Sequence, residues 1–326
     1  MQDSNGQPPA QPTLTVLLVS YNTKSLLAPC FEALEAALAG IDSHAIVVVD
    51  NASADGSAAY LRENFPQAEL IALDRNVGFG RANNAAMARN HSPYLLLLNT
   101  DAFVSKDAIS RSIAYMAGHP ECGVLGVRLV GRDGVLQPSC RFFPTPLNSF
   151  VSRAGLEKWF PPIRMIDDMA WDHASVRDCD WVPGCFYLIR REVVEQVGLF
   201  DPRYFLYFEE VDHCFAVKRA GWKVVFFPDV SVVHLGGESA KSDGPLTSGA
   251  RQLESLQIES SLLYFRKNHG LAGLISFVVL DVLADVILSI RKLLRRSGIP
   301  AGAAARRIGL TLRLLARTDA GTTPTR

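Results

Sequence analysis

Four apolar runs in the first hundred residues each end in polar groups: Ser20-Tyr21-Asn22, Asp50-Asn51, Asp74-Arg75-Asn76 and Asn99-Thr100-Asp101. The last of these follows Tyr94 and four consecutive leucines, 95–98. One carboxylate after a strand is ordinary turn chemistry. Four such ends in a row make a polar rim, and in an open α/β sheet ligands bind beyond the carboxyl ends of the strands. Further chemistry stands far along the chain. His234 closes the short run 230–234, where a histidine can be structural or can ligate a metal. Glu209, Glu210 and Asp212 open a helical pattern. Acids there complement the helix macrodipole, and a carboxylate can also take a proton from a hydroxyl.

The elements that must position these groups read as alternating strand and helix. Strands are expected at 14–20, 45–50, 69–73 and 94–98, and a helix at 25–38 with Leu26, Leu27, Cys30, Phe31, Leu34 and Leu38 on one stripe. A second helix follows the turn residues after Asp50, and a third follows Gly78 and Gly80. This βαβαβαβ order, with continuously apolar strands, predicts a parallel sheet covered on both faces. Beyond residue 120 the pattern turns mixed. Strands are expected at 123–130, 181–190, 223–228 and 230–234, a short helix at 191–198 and a longer one at 208–221. Residues 141–178, rich in Pro, Phe, Trp and charges, read as a long functional loop.

Composition removes several function classes. The 326 residues are 48% hydrophobic with zero net charge, which suits a large globular body and suggests no nucleic-acid partner. The six cysteines (30, 122, 140, 179, 185, 214) form no C-x-x-C pair and read as reduced core thiols of a cytoplasmic protein. The apolar run after the Gln/Pro-rich residues 1–12, expected to be a disordered lead, is short for a signal peptide. The first strand–helix turn, "SYNTKS", has no glycine. A dinucleotide cradle is therefore absent there, as is a phosphate loop of the Walker type or the Gly-rich loop of a sugar-nucleotide pyrophosphorylase.

The charge is uneven. Nine Lys/Arg and one acid follow residue 285, so a mildly acidic body carries a basic tail. Residues 271–290 are almost wholly apolar and long enough to span a bilayer. Asp281 and Asp285 share one helical face, however, and charges are costly at a bilayer centre. Eight Lys/Arg without an acid follow between 291 and 317. The favoured expectation for 271–326 is an amphipathic basic segment lying on an anionic membrane surface. Docking on its own domain or on a partner in a homo-oligomer, and a true span, are the alternatives.

The ordered set "VSYN", "VVVDNASADGS", "NVGFGRANN", "LLLLNTD", "WVPGCFYLIRREVVEQVGLFDPRYFLYFEEVDHCFAVKRAGW" and "VVHLGG" resembles the family 2 glycosyltransferases of the GT-A fold. Within them it is most similar to the rhamnosyltransferase-like and galactofuranosyltransferase-like bacterial branch. The resemblance covers about residues 14–237 and implies a GT-A domain over 13–270. That domain is a Rossmann-like nucleotide-binding half joined to a mixed sheet. It further implies inverting transfer of one sugar from a nucleotide-sugar donor, dTDP-rhamnose favoured, with a divalent Mn or Mg ion. The acceptor would be a saccharide, polyprenyl-linked given the basic tail, met on the inner face of the plasma membrane.

By the same resemblance Asp101 is the metal-binding acid of a D-x-D motif whose first position is Asn99 here, and His234 is the second metal ligand. Glu210 is the general base. Glu209, Asp212, Trp181 and Gly184 face the acceptor side. Asp50 contacts the nucleobase, Tyr21 and Asn22 line its pocket, and Asn76, Gly78, Arg81 and Asn83 flank the ribose and base. Apart from the resemblance, Arg81 reads equally as a solvated helix residue and Trp181 as a core residue. A non-catalytic sugar-nucleotide-binding subunit is the remaining alternative.

Overall fold

The computed structural model describes residues 12–88, 91–169, 171–236, 250–294 and 302–326. Residues 1–11 of the expected lead lie outside these. The nucleotide-binding half runs β1 (Leu14–Ser20), α1 (Lys24–Leu38), β2 (His44–Asp50), α2 (Ser57–Asn64), β3 (Glu69–Ala72), α3 (Phe79–Met87) and β4 (Tyr94–Asn99). Next come β5 (Ala102–Val104), α4 (Ala108–Gly118), β6 (Cys122–Val130), β7 (Leu136–Gln137), α5 (Pro146–Ala154) and β8 (Arg177–Cys179). The chain continues through β9 (Phe186–Arg190), α6 (Arg191–Val197), α7 (Glu209–Arg219) and β10 (Lys223–His234). Two C-terminal helices follow, α8 (Ala250–Leu294) and α9 (Gly302–Arg317).

The strands form one mixed sheet in the order β3-β2-β1-β4-β9-β6-β10-β5, with β7 on β6 and β8 on β10. The first four strands are parallel, and β9 enters antiparallel beside β4. Alternation along β1 shows why both faces must be covered. Leu14, Val16 and Leu18 pack with Phe31 and Leu34 of α1 and Ile109 of α4. Leu17 faces the opposite layer, with Ala82 of α3, Cys214 of α7 and Leu262 of α8. All six cysteines are buried and unpaired.

Two local features differ from the sequence expectations. The two strands expected on either side of Pro228 are one strand, β10, whose register against β6 shifts between Phe227 and Ser231. A proline cannot donate to the ladder, so the chain bulges there and resumes pairing. The expected loop at 141–178 contains α5. Thr145 accepts from the Asn148 backbone amide and Asn148 returns a bond to the Thr145 amide, with Pro146 at the first turn. A capping box built with Asn rather than Glu or Gln is easily missed in a Pro- and Phe-rich stretch.

The C-terminal segment forms two helices, α8 and α9. It docks on its own domain, α8 against α5 and α9 against α8. Asp281 and Asp285 turn inward, 5% and 3% exposed. Arg307 of α9 reaches Asp281 at 2.6 Å and Asp285 at 2.9 Å, and Arg153 of α5 pairs with both carboxylates. Helix α8 kinks at Gly270, whose φ of 69° and ψ of −169° are open to glycine. Removing one partner of a buried pair leaves a charge uncompensated. Arg307→Met should therefore cost about 3 kcal/mol, read as a lowered midpoint in thermal unfolding. An unchanged midpoint would mean the network carries no stability.

Candidate active site

The strand ends converge on one cavity of about 290 Å³. Of the sequence-derived candidates, Tyr21, Asn76, Gly78, Asn99, Asp101, Gly184, Glu209, Glu210 and His234 line it. Asn51 and Thr100, read from the sequence only as part of the polar rim, also line it, as do Cys185, Tyr207 and Leu253, which were not singled out from the sequence.

Asp101 and His234 meet because β5 pairs antiparallel with the end of β10, which sets His234 opposite Ala102. The Leu235 amide donates to the Asp101 carbonyl at 3.0 Å, closing the corner. His234 Nε2 lies 3.6 Å from Asp101 Oδ1. The other ring nitrogen is held from behind by Gln137 on β7. His234 Nδ1 lies 2.9 Å from Gln137 Oε1, and Gln137 Nε2 donates to the His234 carbonyl at 2.8 Å. That reciprocal clasp requires Nδ1 to carry the proton, which leaves the Nε2 lone pair beside the carboxylate. Burial lowers the His234 pKa, against the opposing pull of Asp101, so the neutral ring is favoured. A carboxylate oxygen and a neutral imidazole nitrogen this close are a donor set for a divalent cation. Among the described residues no third His, Cys, Asp or Glu joins them.

Glu209 and Glu210 begin α7 and line the same cavity. Two consecutive aromatic residues, Tyr207 and Phe208, hold φ of 71° and 70°, an unusual left-handed pair for side chains of that bulk. This turn starts the helix with both carboxylates inside the protein, and each has an Oε2 without a hydrogen-bond partner. Burial raises both acids, and the Glu210 charge raises Glu209 further. Arg141 and the Gly184 amide partly offset burial at Glu210. Glu210 is therefore the member of the pair that ionises first. Cys185 lines the cavity and feels the charges of both Asp101 and Glu210. Burial, then the charge of Asp101, and more weakly that of Glu210, push its thiol up.

The near end of the cleft is held by amides. Asn51 Nδ2 donates to Asn76 Oδ1 at 2.9 Å, and Asn51 Oδ1 accepts from the Val77 amide at 2.9 Å. Gly78 has φ of 89°, and a Cβ there would meet the Phe205 carbonyl oxygen at 2.2 Å. The Phe79 amide donates to that same carbonyl, so glycine at 78 lets the two halves of the site touch. Asp50 is 2% exposed. Its Oδ1 accepts from the Ser53 amide, while Oδ2 has no partner.

The remaining candidates, Asp50 among them, do not line the cavity. Asn22 accepts from the Ala54 amide and ties two loops together. Asn83 donates to the Phe79 carbonyl within α3. Arg81 donates to the carbonyls of Pro202 and Arg326. Trp181 is buried beneath the Arg141 guanidinium and donates to the Phe142 carbonyl. Asp212 accepts from Tyr204, Lys267 and Asn268, clasping α7 to α8.

The buried acids imply a stability signature. The Glu209 pKa is raised in the fold, so the folded state prefers the protonated acid, while the unfolded chain ionises it near its ordinary value of ~4.3. Stability is lost as pH rises above that value. Glu209→Gln should raise the melting midpoint by a few degrees at pH ~8 and change little at pH ~4. An equal or lower midpoint at the higher pH would contradict the burial account.

Comparison with known proteins agrees with this geometry. Residues 15–198 match Glycosyl transferase family 2. An N-acetylglucosaminyl-diphospho-decaprenol L-rhamnosyltransferase of Mycobacterium tuberculosis is 28% identical over 211 residues, 61% of this chain and 68% of that protein. The dTDP-rhamnosyl transferase RfbF of Shigella flexneri is 23% identical over 232 residues, 69% of this chain and 71% of that protein. Among solved structures, the mannosyltransferase PcManGT of Pyrobaculum calidifontis, in complex with GDP-Man and Mn2+, superposes with a TM-score of 0.54. It is 16% identical, over 97% of this chain and 88% of that one. The fold is thus the GT-A arrangement, and the chain belongs to glycosyl transferase family 2.

Proposed function

We propose that this protein transfers a single sugar, with inversion, from a nucleotide-diphosphate sugar to a saccharide acceptor carried on a lipid. dTDP-rhamnose is the favoured donor, and the product belongs to cell-envelope polysaccharide synthesis. The observation that carries the reading is one cavity lined by Asp101, His234 and Glu210 together. The names of the relatives, two of them rhamnosyltransferases with a decaprenyl-diphosphate acceptor or a dTDP-rhamnose donor, support the substrate classes. A lipid-borne acceptor and a nucleotide donor meet at the cytoplasmic face of the membrane, where we place the protein.

Donor binding follows from the near end of the cleft. Asp50 Oδ2 lacks a partner, and a buried carboxylate oxygen left unpaired is costly. A nucleobase N–H satisfies it. Tyr21 and the Asn51–Asn76 pair enclose the base and ribose, and Asn99 offers a neutral amide to the ribose or diphosphate. Asp101 and His234 would hold a Mn or Mg ion, which when bound neutralises the charge of the departing diphosphate.

The acceptor hydroxyl enters beside Glu210. The ionised carboxylate takes the hydroxyl proton as the oxygen bonds to the anomeric carbon, and the bond from that carbon to the diphosphate oxygen breaks on the opposite face. Backside attack inverts the anomeric centre, and the nucleoside diphosphate leaves with the bonding pair. Glu209, held protonated by burial and by its neighbour's charge, is placed to donate a hydrogen bond to the acceptor rather than to compete for the proton.

Release of dTDP from dTDP-rhamnose, dependent on a prenyl-diphosphate N-acetylglucosamine acceptor, tests the proposal. Glu210→Gln should lower kcat by roughly 10²–10⁴-fold and leave nucleoside diphosphate binding nearly unchanged. Burial raises the Glu210 pKa, so the wild-type rate should fall with decreasing pH from above the ordinary carboxylate range, and the variant should lose that limb. Wild-type turnover in Glu210→Gln would remove it as the base.

A further inference from the structure

The outward face of α8 after its kink is apolar from end to end. Leu271, Ile275, Val279, Leu283, Val286 and Ile290 recur at helical spacing, each 41–60% exposed. They form a ridge roughly 28 Å long at 1.5 Å per residue. The only charged side chains between 271 and 290 are Asp281 and Asp285. Both point to the opposite face, where Arg153 and Arg307 neutralise them. The aspartates that count against a membrane role in the sequence are therefore removed from the surface that matters.

We propose that this ridge lies flat in the surface of an anionic lipid bilayer. Length and composition alone would allow the helix to cross a membrane. Its docked face rules against that, because α5 and α9 pack along it through buried ion pairs and would have to enter the hydrocarbon with it. An in-plane helix buries only its outer face in the headgroup and acyl boundary.

Two observations select lipid over a second copy of the chain. The first is charge. Arg291 closes the ridge, and the stretch from 291 to 296 holds four Lys/Arg and no acid. Anionic headgroups complement such an end, whereas the outward face of a second ridge carries no acid to meet it. The second is the aromatic flank. Arg291 donates to the carbonyls of Ala154 and Gly155, which fixes the following turn beside the end of the ridge. On that turn Trp159 is 78% and Phe160 43% exposed. Exposed aromatics next to cations suit the headgroup level of a bilayer.

The ridge is also wired to the cleft. Lys267 and Asn268, one turn before Leu271, hold Asp212 at 2.6 and 2.7 Å, two residues from Glu210. Leu253 on the same helix lines the cavity. The inference deepens the reading of a lipid-linked acceptor and rests on it for its purpose, because the docked protein would meet its acceptor at the plane where the lipid ends.

The test is flotation of the full chain with vesicles of phosphatidylglycerol in phosphatidylethanolamine, against phosphatidylcholine alone. The wild type should float with the anionic vesicles at low salt and less at high salt. The triple variant Ile275→Ser, Val279→Ser, Val286→Ser should bind at least ~10-fold more weakly, with an unchanged melting midpoint. Should that variant unfold, Trp159→Ser replaces it, with a several-fold loss expected. A wild type that stays unbound at low salt, or variants that float equally well, would overturn the surface. So would a dimer in sedimentation that the triple variant dissolves. Turnover on a short-chain, water-soluble acceptor separates the two readings. Flotation without such turnover would sink the transferase and leave the surface standing; turnover without flotation would do the reverse.

Discussion

The site depends on one antiparallel pairing at the edge of the sheet, between the three residues of β5 and the last three of β10. Asp101 closes the leucine-rich strand in sequence, but its neighbour is set more than a hundred residues later. Only because β10 continues past its Pro228 bulge does His234 arrive beside that carboxylate. Gln137, on the two-residue strand β7, then fixes which ring nitrogen is free. A one-residue slip of β10 would turn His234 to the other face of the sheet, since side chains alternate along a strand.

The start of α7 works against the stability of the fold. Glu209 is buried and Glu210 half-buried, each with a buried oxygen that lacks a partner, and a pair of left-handed aromatic residues leads into them. Non-glycine residues held in that region cost of order 1–3 kcal/mol each and persist where the surroundings over-determine them. Here the surroundings are α8 and the sheet: Tyr264 packs on Phe208, and Asp212 is clasped by Lys267 and Asn268. The C-terminal helix thus has two faces with separate consequences. Its inner face braces the catalytic helix, and its outer face is free of charge.

Much of this was legible in the residues. The four strands, the polar rim at their ends and the acids opening α7 are each local, carried by apolar runs, turn residues and helical spacing. Tertiary partners were not legible. No sequence signal marks Gln137 as the support of His234, because its strand has only two residues. Leu253 enters the cavity from a helix beyond the family match. Asp281 and Asp285 read as the polar side of an amphipathic helix, yet their partners, Arg153 and Arg307, come from two other helices. Trp181 shows the limit of residue type alone, since its ring is covered by Arg141 rather than offered to a ligand.

The most direct test of the central claim is Mn2+ binding, followed by electron paramagnetic resonance with and without dTDP. If Asp101 and His234 are one cation site facing a diphosphate, each ligand should tighten the other, and Asp101→Asn should abolish that coupling while the protein stays folded. Undiminished coupling in Asp101→Asn would place the cation elsewhere and contradict the account.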